Sequence, residues 1–393
     1  MVFSIKYYNQ IAQEGLDLLD TSKYSLQDSK NPDAIILRSE SLHNKQLPKS
    51  VMAVARAGAG TNNIPIEEYS ENGVVVFNTP GANANAVKEL VLGSMLISAR
   101  PILQGITWTD TLKNENLEQE VEANKKKFVG TELENKTLGV IGLGAIGSRV
   151  ANDAYQIGMN ILGYDPHVSV DTAWKMSRRV QRVLSVDTIF AEADFISIHI
   201  PLLKETKHFI GKKELENMKD TAVLLNFSRG ALVDHLAVIE AIETNTIKKY
   251  ITDFPEKELL NKKGITVLPH LGASTKEAEI NCAKSAVKTL SFFLETGNIR
   301  NSINFPTTEM IFKTKYRLSI FHKNVPNMIG KISQQIANSQ ININNLTNRS
   351  HKDLAYTLID LDDLTEESSL IILEKINNIN EVIRTRIIEN PYL

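Results

Sequence analysis

Gly142-Leu143-Gly144-Ala145-Ile146-Gly147 follows the short apolar run Thr137-Leu138-Gly139-Val140-Ile141. It precedes a stretch in which Ile146, Val150, Ala154 and Ile157 recur at helical spacing. The run before it reads as a buried parallel strand. Another short strand, Met159 to Tyr164, ends on Asp165. Together these make a βαβ unit with G-x-G-x-x-G at its first turn, the pattern of a dinucleotide site. Gly142 permits the tight turn, Gly144 lets a pyrophosphate approach the backbone, and Gly147 lets the helix pack close to the sheet. The helix N-terminus adds free N–H groups and partial positive charge. Asp165 lies 18 residues after Gly147, placed to accept hydrogen bonds from a ribose diol. Its charge opposes a 2′-phosphate, and no Arg or Lys follows it directly, so NAD is favoured over NADP. A glycine turn that binds nothing is the bland alternative; strand, helix and acid together outweigh it.

The chain has 393 residues, enough for two or three cored domains. Its 42% hydrophobic and 23% charged content is ordinary for a globular protein. A net charge of −2 gives no general pull toward nucleic acid or anionic membrane, so an anionic substrate must be drawn by a local cluster of Arg and Lys. Cys282 is the single cysteine, which excludes an intrachain disulfide and fits a reducing compartment. With no neighbouring His, it reads as a buried structural thiol. No apolar run reaches membrane-spanning length, and the start of the chain has no signal-peptide core. A cytoplasmic protein is expected, without nucleic-acid or membrane partners.

Residues 1–80 alternate helix and strand patterns. Ala34–Leu37, Val51–Ala55 and Val74–Val76 with Phe77 read as short buried strands. Arg38 and Arg56 sit where two of these strands end, the edge at which open parallel sheets bind ligands. Ala57-Gly58-Ala59-Gly60 is expected to offer backbone N–H groups to an anion. Asn78-Thr79-Pro80-Gly81 marks a domain crossing. The charged stretch 108–132 lacks interleaved aromatics and reads as a solvated arm.

Beyond Asp165, strands are expected at 194–201, 222–226, 250–253 and 265–268. Arg229, Glu258 and His270 follow the ends of three of them, so they converge on one crevice. Arg229 suits two parallel bonds to a carboxylate. His270 changes charge near neutral pH and suits a proton acceptor, and Glu258 suits a partner that orients the imidazolium. This set permits hydride transfer between a 2-hydroxy acid and NAD. A helix at 276–296 and a linker at 301–308 lead to a strand-helix-strand-strand-helix-strand order over 316–388, which is ferredoxin-like.

Taken together, Gly142–Gly147 with Asp165, His199-Ile200-Pro201-Leu202, Asn226-Phe227-Ser228-Arg229-Gly230, Asp253-Phe254-Pro255 and Pro269-His270-Leu271-Gly272-Ala273-Ser274 resemble the D-isomer-specific 2-hydroxyacid dehydrogenases. Within them, the chain is similar to the branch that oxidises phosphoglycerate. The resemblance implies an α/β protein in three parts. These are a flavodoxin-like substrate domain (1–82 with 286–306), a Rossmann-type doubly wound NAD-binding domain (83–285) and a ferredoxin-like ACT domain (315–393). It implies catalytic roles for Arg229, Glu258 and His270. It implies NAD contacts at Gly142, Gly144, Ala145, Ile146, Gly147, Asp165, Phe227, Ser228, Arg229, Asp253, His270, Leu271, Gly272 and Ala273. The candidate substrate contacts are Arg38, Arg56, Ala57, Gly58 and Arg229, and no metal is expected. The loop Asp253-Phe254-Pro255-Glu256-Lys257-Glu258 lacks one residue found in the family between the Asp and the Phe-Pro. Glu258 keeps the usual spacing of 29 residues from Arg229, and Glu256 remains an alternative.

The tail pattern of His322, Asn324 and Asn342 resembles a serine-binding ACT site, with Asn327 where the family has Gly. The implied partners are 3-phosphoglycerate as the anionic 2-hydroxy acid, L-serine as effector, and further copies of the chain in a homodimer or homotetramer. Other readings are a dehydrogenase for glycerate, hydroxypyruvate or 2-hydroxyglutarate, or an NAD-sensing corepressor-like protein that binds without turnover.

Overall fold

The computed structural model describes residues 2–27, 29–113, 115–362, 364–391 and 393. It divides into two compact units, residues 83–278 and residues 1–82 with 279–393.

The second of these begins with a parallel five-stranded sheet: β1 (Phe3–Tyr7), β2 (Tyr24–Ser25), β3 (Ala34–Leu37), β4 (Ala53–Arg56) and β5 (Val75–Phe77). The order β2-β1-β3-β4-β5 is the flavodoxin-like one. β3 and β5 are buried along their whole length, the signature of strands covered on both faces.

Residues 83–278 carry seven parallel strands: β6 (Thr137–Ile141), β7 (Asn160–Tyr164), β8 (Val180–Arg182), β9 (Phe195–Ile198), β10 (Val223–Asn226), β11 (Lys249–Thr252) and β12 (Ile265–Val267). Their order is β12-β11-β10-β9-β6-β7-β8, a doubly wound Rossmann-type sheet. Chain order reverses between β6 and β9, so the crevice at the carboxyl ends of those two strands is the topological switch point. The helix Gly147–Gln156 buries Val150, Ala151 and Ala154 on one face, while Ile189, Phe190 and Val238 help fill the other main core. Sequence periodicity did not resolve β8. Gln181 and Arg182 are exposed on this edge strand, so pairing with β7 holds it without an apolar pattern.

The C-terminal sheet is antiparallel: β13 (Tyr316–Lys323), β14 (Ile343–His351), β15 (Leu354–Leu361) and β16 (Val382–Glu389), in the order β14-β15-β13-β16. Helices Met328–Asn338 and Glu366–Asn377 complete βαββαβ. Leu318 and Ile320 pack with Ile332, Ile336 and Ile372 from these helices. Phe321 and Tyr356 join Phe293 and Phe305 in the core beneath the five-stranded sheet. The two sheets of this unit therefore share apolar packing. Arg317 is fully buried, paired with Asp360 at 2.6 and 3.1 Å, and donates to the Thr296 carbonyl at 3.0 Å. Arg386 donates to the carbonyls of Phe293 and Leu294. These bonds satisfy last-turn carbonyls of the helix Lys276–Thr296, which have no partners within the helix.

Candidate active site

The glycine-rich turn sits at the switch point. Gly142 has φ +90°, and a Cβ there would lie 2.7 Å from the His199 carbonyl oxygen. A Cβ at Gly147 would collide with the Gly142 carbonyl oxygen. The turn and helix therefore close only without those side chains. Above Gly144 the space is open, with nothing within 4 Å of where a Cβ would stand. Asp165 braces the loop from β7: its Oδ2 accepts from the Leu143 N–H at 2.8 Å and its Oδ1 from the His167 N–H at 2.8 Å. Each carboxylate oxygen keeps a lone pair for a diol. Open space at a helix N-terminus, with an acid one strand away, fits a dinucleotide.

Behind the turn, half-buried His199 shares a 2.9 Å hydrogen bond with the buried Ser197 hydroxyl. Its Nδ1 has no partner, and burial pushes its pKa down to about 4, so the ring is neutral at ordinary pH.

At the end of β10, the buried Asn226 amide donates to the Arg229 carbonyl at 2.9 Å, and Ser228 donates to the Ile200 carbonyl at 2.7 Å. This turn presents the exposed Arg229 guanidinium, which donates to its neighbour's carbonyl at Ser228. After β11, Asp253 is 1% exposed. Its Oδ2 accepts from the Gly272 N–H at 2.8 Å, while its buried Oδ1 is unpartnered. Burial raises the carboxyl pKa; the Gly272 bond and then the charges of His270 and Arg229 pull the other way.

Following β12, His270 adopts a left-handed backbone, φ +50°, pinned by N–H bonds to the Asp253 and Leu268 carbonyls, both 3.0 Å. Its exposed ring meets Phe254 edge-on, centroids 5.0 Å apart. The carboxyl ends of β10, β11 and β12 thus bring Arg229, Asp253 and His270 into one electrostatic neighbourhood.

Glu258 lies in the 3-10 turn Lys257–Leu259, anchored by buried Leu259, and Glu256 immediately precedes it. Both are exposed. Among the described residues, no hydrogen bond or ion pair joins either to His270, so the expected carboxylate–imidazole bond is not made in this arrangement. The sequence pattern alone assigns Asn226 and Phe254 no structural task. The signal was a polar residue ending an apolar strand and an aromatic directly after Asp253.

In the other unit, Arg38 pairs with Glu279 at 2.7 Å. Arg56 donates to the carbonyls of Arg38 and Gly60. The N–H groups of Ala57 and Gly58, expected to face an anion, instead donate to the Leu37 and Arg56 carbonyls at 2.7 and 2.9 Å. One donor is spent on β3 and the other within the turn itself. Cys282 is buried, and burial pushes its thiol pKa up, opposite to an activated nucleophile.

The expected effector residues do not converge within one copy. His322 is 2% exposed, with ring contacts to Thr357 Oγ1 at 2.9 Å and the Lys323 carbonyl at 2.8 Å. Asn324 follows the end of β13, whereas Asn342 precedes β14 at the opposite end of the sheet. Asn327 takes the left-handed backbone, φ +66°. Among the described residues, no cluster of His, Cys, Asp and Glu could hold a metal ion. No single described helix is long and apolar enough to cross a membrane.

Residues 92–272 match the family described as D-isomer specific 2-hydroxyacid dehydrogenase, NAD binding domain. The chain is 33% identical over 350 residues to D-3-phosphoglycerate dehydrogenase of Methanocaldococcus jannaschii, covering 86% of this chain and 64% of that relative. The chain thus spans somewhat less than two thirds of that relative's length. It is 37% identical over 240 residues to hydroxypyruvate reductase of Thermotoga maritima, covering 59% of this chain and 74% of the relative. Among solved structures, the NAD+-bound 3-phosphoglycerate dehydrogenase of Entamoeba histolytica superposes with a TM-score of 0.61 at 26% identity, covering 77% of this chain and 99% of that one. The chain therefore carries a Rossmann-type NAD-binding domain and belongs to the D-isomer-specific 2-hydroxyacid dehydrogenase family.

Proposed function

We propose that this chain oxidises 3-phospho-D-glycerate to 3-phosphohydroxypyruvate with NAD, the first step of L-serine synthesis, as a D-3-phosphoglycerate dehydrogenase. The observation that carries the reading is that Arg229, Asp253 and His270 follow the ends of three adjacent strands, β10, β11 and β12, on the sheet whose switch point holds Gly142–Gly147. Similarity to the Methanocaldococcus enzyme supports the choice of substrate.

Bound NAD supplies the hydride acceptor. Arg229 holds the substrate carboxylate through paired N–H bonds and so fixes which C–H faces the crevice. His270 takes the hydroxyl proton as the C–H bond breaks and returns it in the reverse direction. Glu258 turns toward the imidazole once substrate is bound, since catalytic hydrogen bonds often tighten only in the complex; Glu256 is the alternative. Asp253 Oδ1, buried without a partner, accepts from a donor on the cofactor. Ala145, Ile146, the Phe227–Arg229 turn and Leu271–Ala273 line the cofactor.

The C-terminal βαββαβ module acts as an ACT domain for L-serine. With Asn324 and Asn342 at opposite ends of one sheet, a site using both requires two copies. Exposed Leu96, Ile102, Leu103 and Ile106 support homo-oligomerisation through the NAD-binding unit as well. Similarity to hydroxypyruvate reductase favours a second reading, the glycerate/hydroxypyruvate pair.

Steady-state rates on 3-phosphoglycerate, glycerate, hydroxypyruvate and 2-hydroxyglutarate, with and without serine, test the proposal. Equal kcat/KM with and without the phosphate would sink the choice of substrate. His270→Ala is expected to lower kcat by about 10²–10⁴-fold while NAD still binds; a near-normal rate removes His270 from the chemistry.

A further inference from the structure

We infer that Phe254 is a positioning residue for the imidazole of His270, and that Gly230 is glycine because the Phe254 side chain needs the space. The inference rests on the reading of His270 as the proton acceptor.

The His270 backbone is fixed by its N–H bonds and its left-handed φ. Its ring is not fixed in that way: it is exposed, and Glu258 makes no bond to it among the described residues. The aromatic contact made by the imidazole is with Phe254, at 5.0 Å and an interplanar angle of 61°. That geometry is one of the favoured edge-to-face arrangements of aromatic rings.

Phe254 is itself held from two sides. Its N–H donates to the Thr252 hydroxyl at 3.2 Å, and Thr252 is completely buried at the end of β11. On the side of the Arg229 turn, a Cβ at Gly230 would stand 3.2 Å from Phe254 Cβ and 3.6 Å from Cγ. A methyl group at Gly230 would crowd Phe254, which would have to give by a few tenths of an ångström and so alter its contact with His270. One aromatic side chain therefore spans the turn that presents the carboxylate clamp and the ring that takes the proton. Its task is orientation of the acceptor before substrate arrives, the kind of placement on which proximity effects depend.

The test compares Phe254→Leu, Phe254→Tyr, Gly230→Ala and the double variant Phe254→Leu/Gly230→Ala. Rates are measured with the panel acid that turns over. Phe254→Leu should lower kcat by about 10- to 100-fold, with an increased solvent deuterium isotope effect and unchanged NAD affinity. Phe254→Tyr should restore the rate. Gly230→Ala should reproduce the loss, and the double variant should be no slower than the slower single variant, since both act through one side chain. In the cofactor-free protein, the Cε1–H resonance of His270 should move in Phe254→Leu as the ring-current contribution disappears. A Phe254→Leu enzyme with wild-type kcat, additive losses in the double variant, or an unmoved His270 resonance overturns the inference. If His270→Ala is inactive while Phe254→Leu is normal, only this inference fails. If His270→Ala turns over normally, the underlying reading fails instead.

Discussion

Gly142 and His199 meet backbone to side of turn, and each constrains what the other position can be. The His199 carbonyl leaves no room for a Cβ at Gly142. The His199 ring in turn, half-buried with its Nδ1 enclosed, is held neutral, with a pKa near 4 against an ordinary 6.5. An unfolded chain takes up a proton at this position as pH falls below about 6.5, and the folded chain resists doing so until about 4. Its contribution to stability is therefore full above pH 6.5 and is lost as pH falls toward 4. The contribution is on the order of 3 kcal/mol at most. His199→Gln should flatten this part of the pH profile, read as urea-unfolding midpoints at pH 7 and pH 5. A variant whose midpoint falls as steeply as that of the wild type excludes His199 as the source.

At the scale of elements, the helix Lys276–Thr296 is bounded as its apolar periodicity requires. Its C-terminal carbonyls, however, also accept from a distant part of the chain. Arg317 and Arg386 reach them from β13 and β16. Local sequence reads Tyr316–Phe321 as a strand, but it does not say that Arg317 is wholly buried against Asp360. Replacing one member of such a pair leaves the other charge uncompensated, at a cost of about 3–5 kcal/mol. Arg317→Met should lower the unfolding midpoint accordingly, while Arg317→Met/Asp360→Leu should recover most of the loss. A double variant as unstable as the single one would mean that the bonds to Thr296 and Asn298, rather than the ion pair, dominate.

On the scale of the whole molecule, the C-terminal sheet and the five-stranded sheet belong to one compact unit and share the cluster containing Phe293, Phe305, Phe321 and Tyr356. Removal of residues 315–393 would expose that cluster and strip the helix end of its arginines. The truncated chain should lose soluble yield and bind a hydrophobic dye, instead of behaving as a trimmed but intact protein. Unchanged thermal unfolding of the shortened chain would contradict this.

Much of this protein follows from local chemistry. The strand before Gly142, the helix after Gly147 and Asp165 at the end of the next strand lie within one short stretch, so their pattern determines a dinucleotide site before any coordinates are known. The strand-end positions of Arg229 and His270 are likewise legible, because parallel strands deliver their carboxyl ends to one edge. Only the tertiary structure decided which side chains occupy one another's space. Phe254 against His270, the spent N–H groups of Ala57 and Gly58, and Arg317 beneath a helix end all depend on contacts that local periodicity does not encode. Hydrophobic pattern fixes which face of an element is buried, whereas the partner on that face is set by packing among segments far apart along the chain.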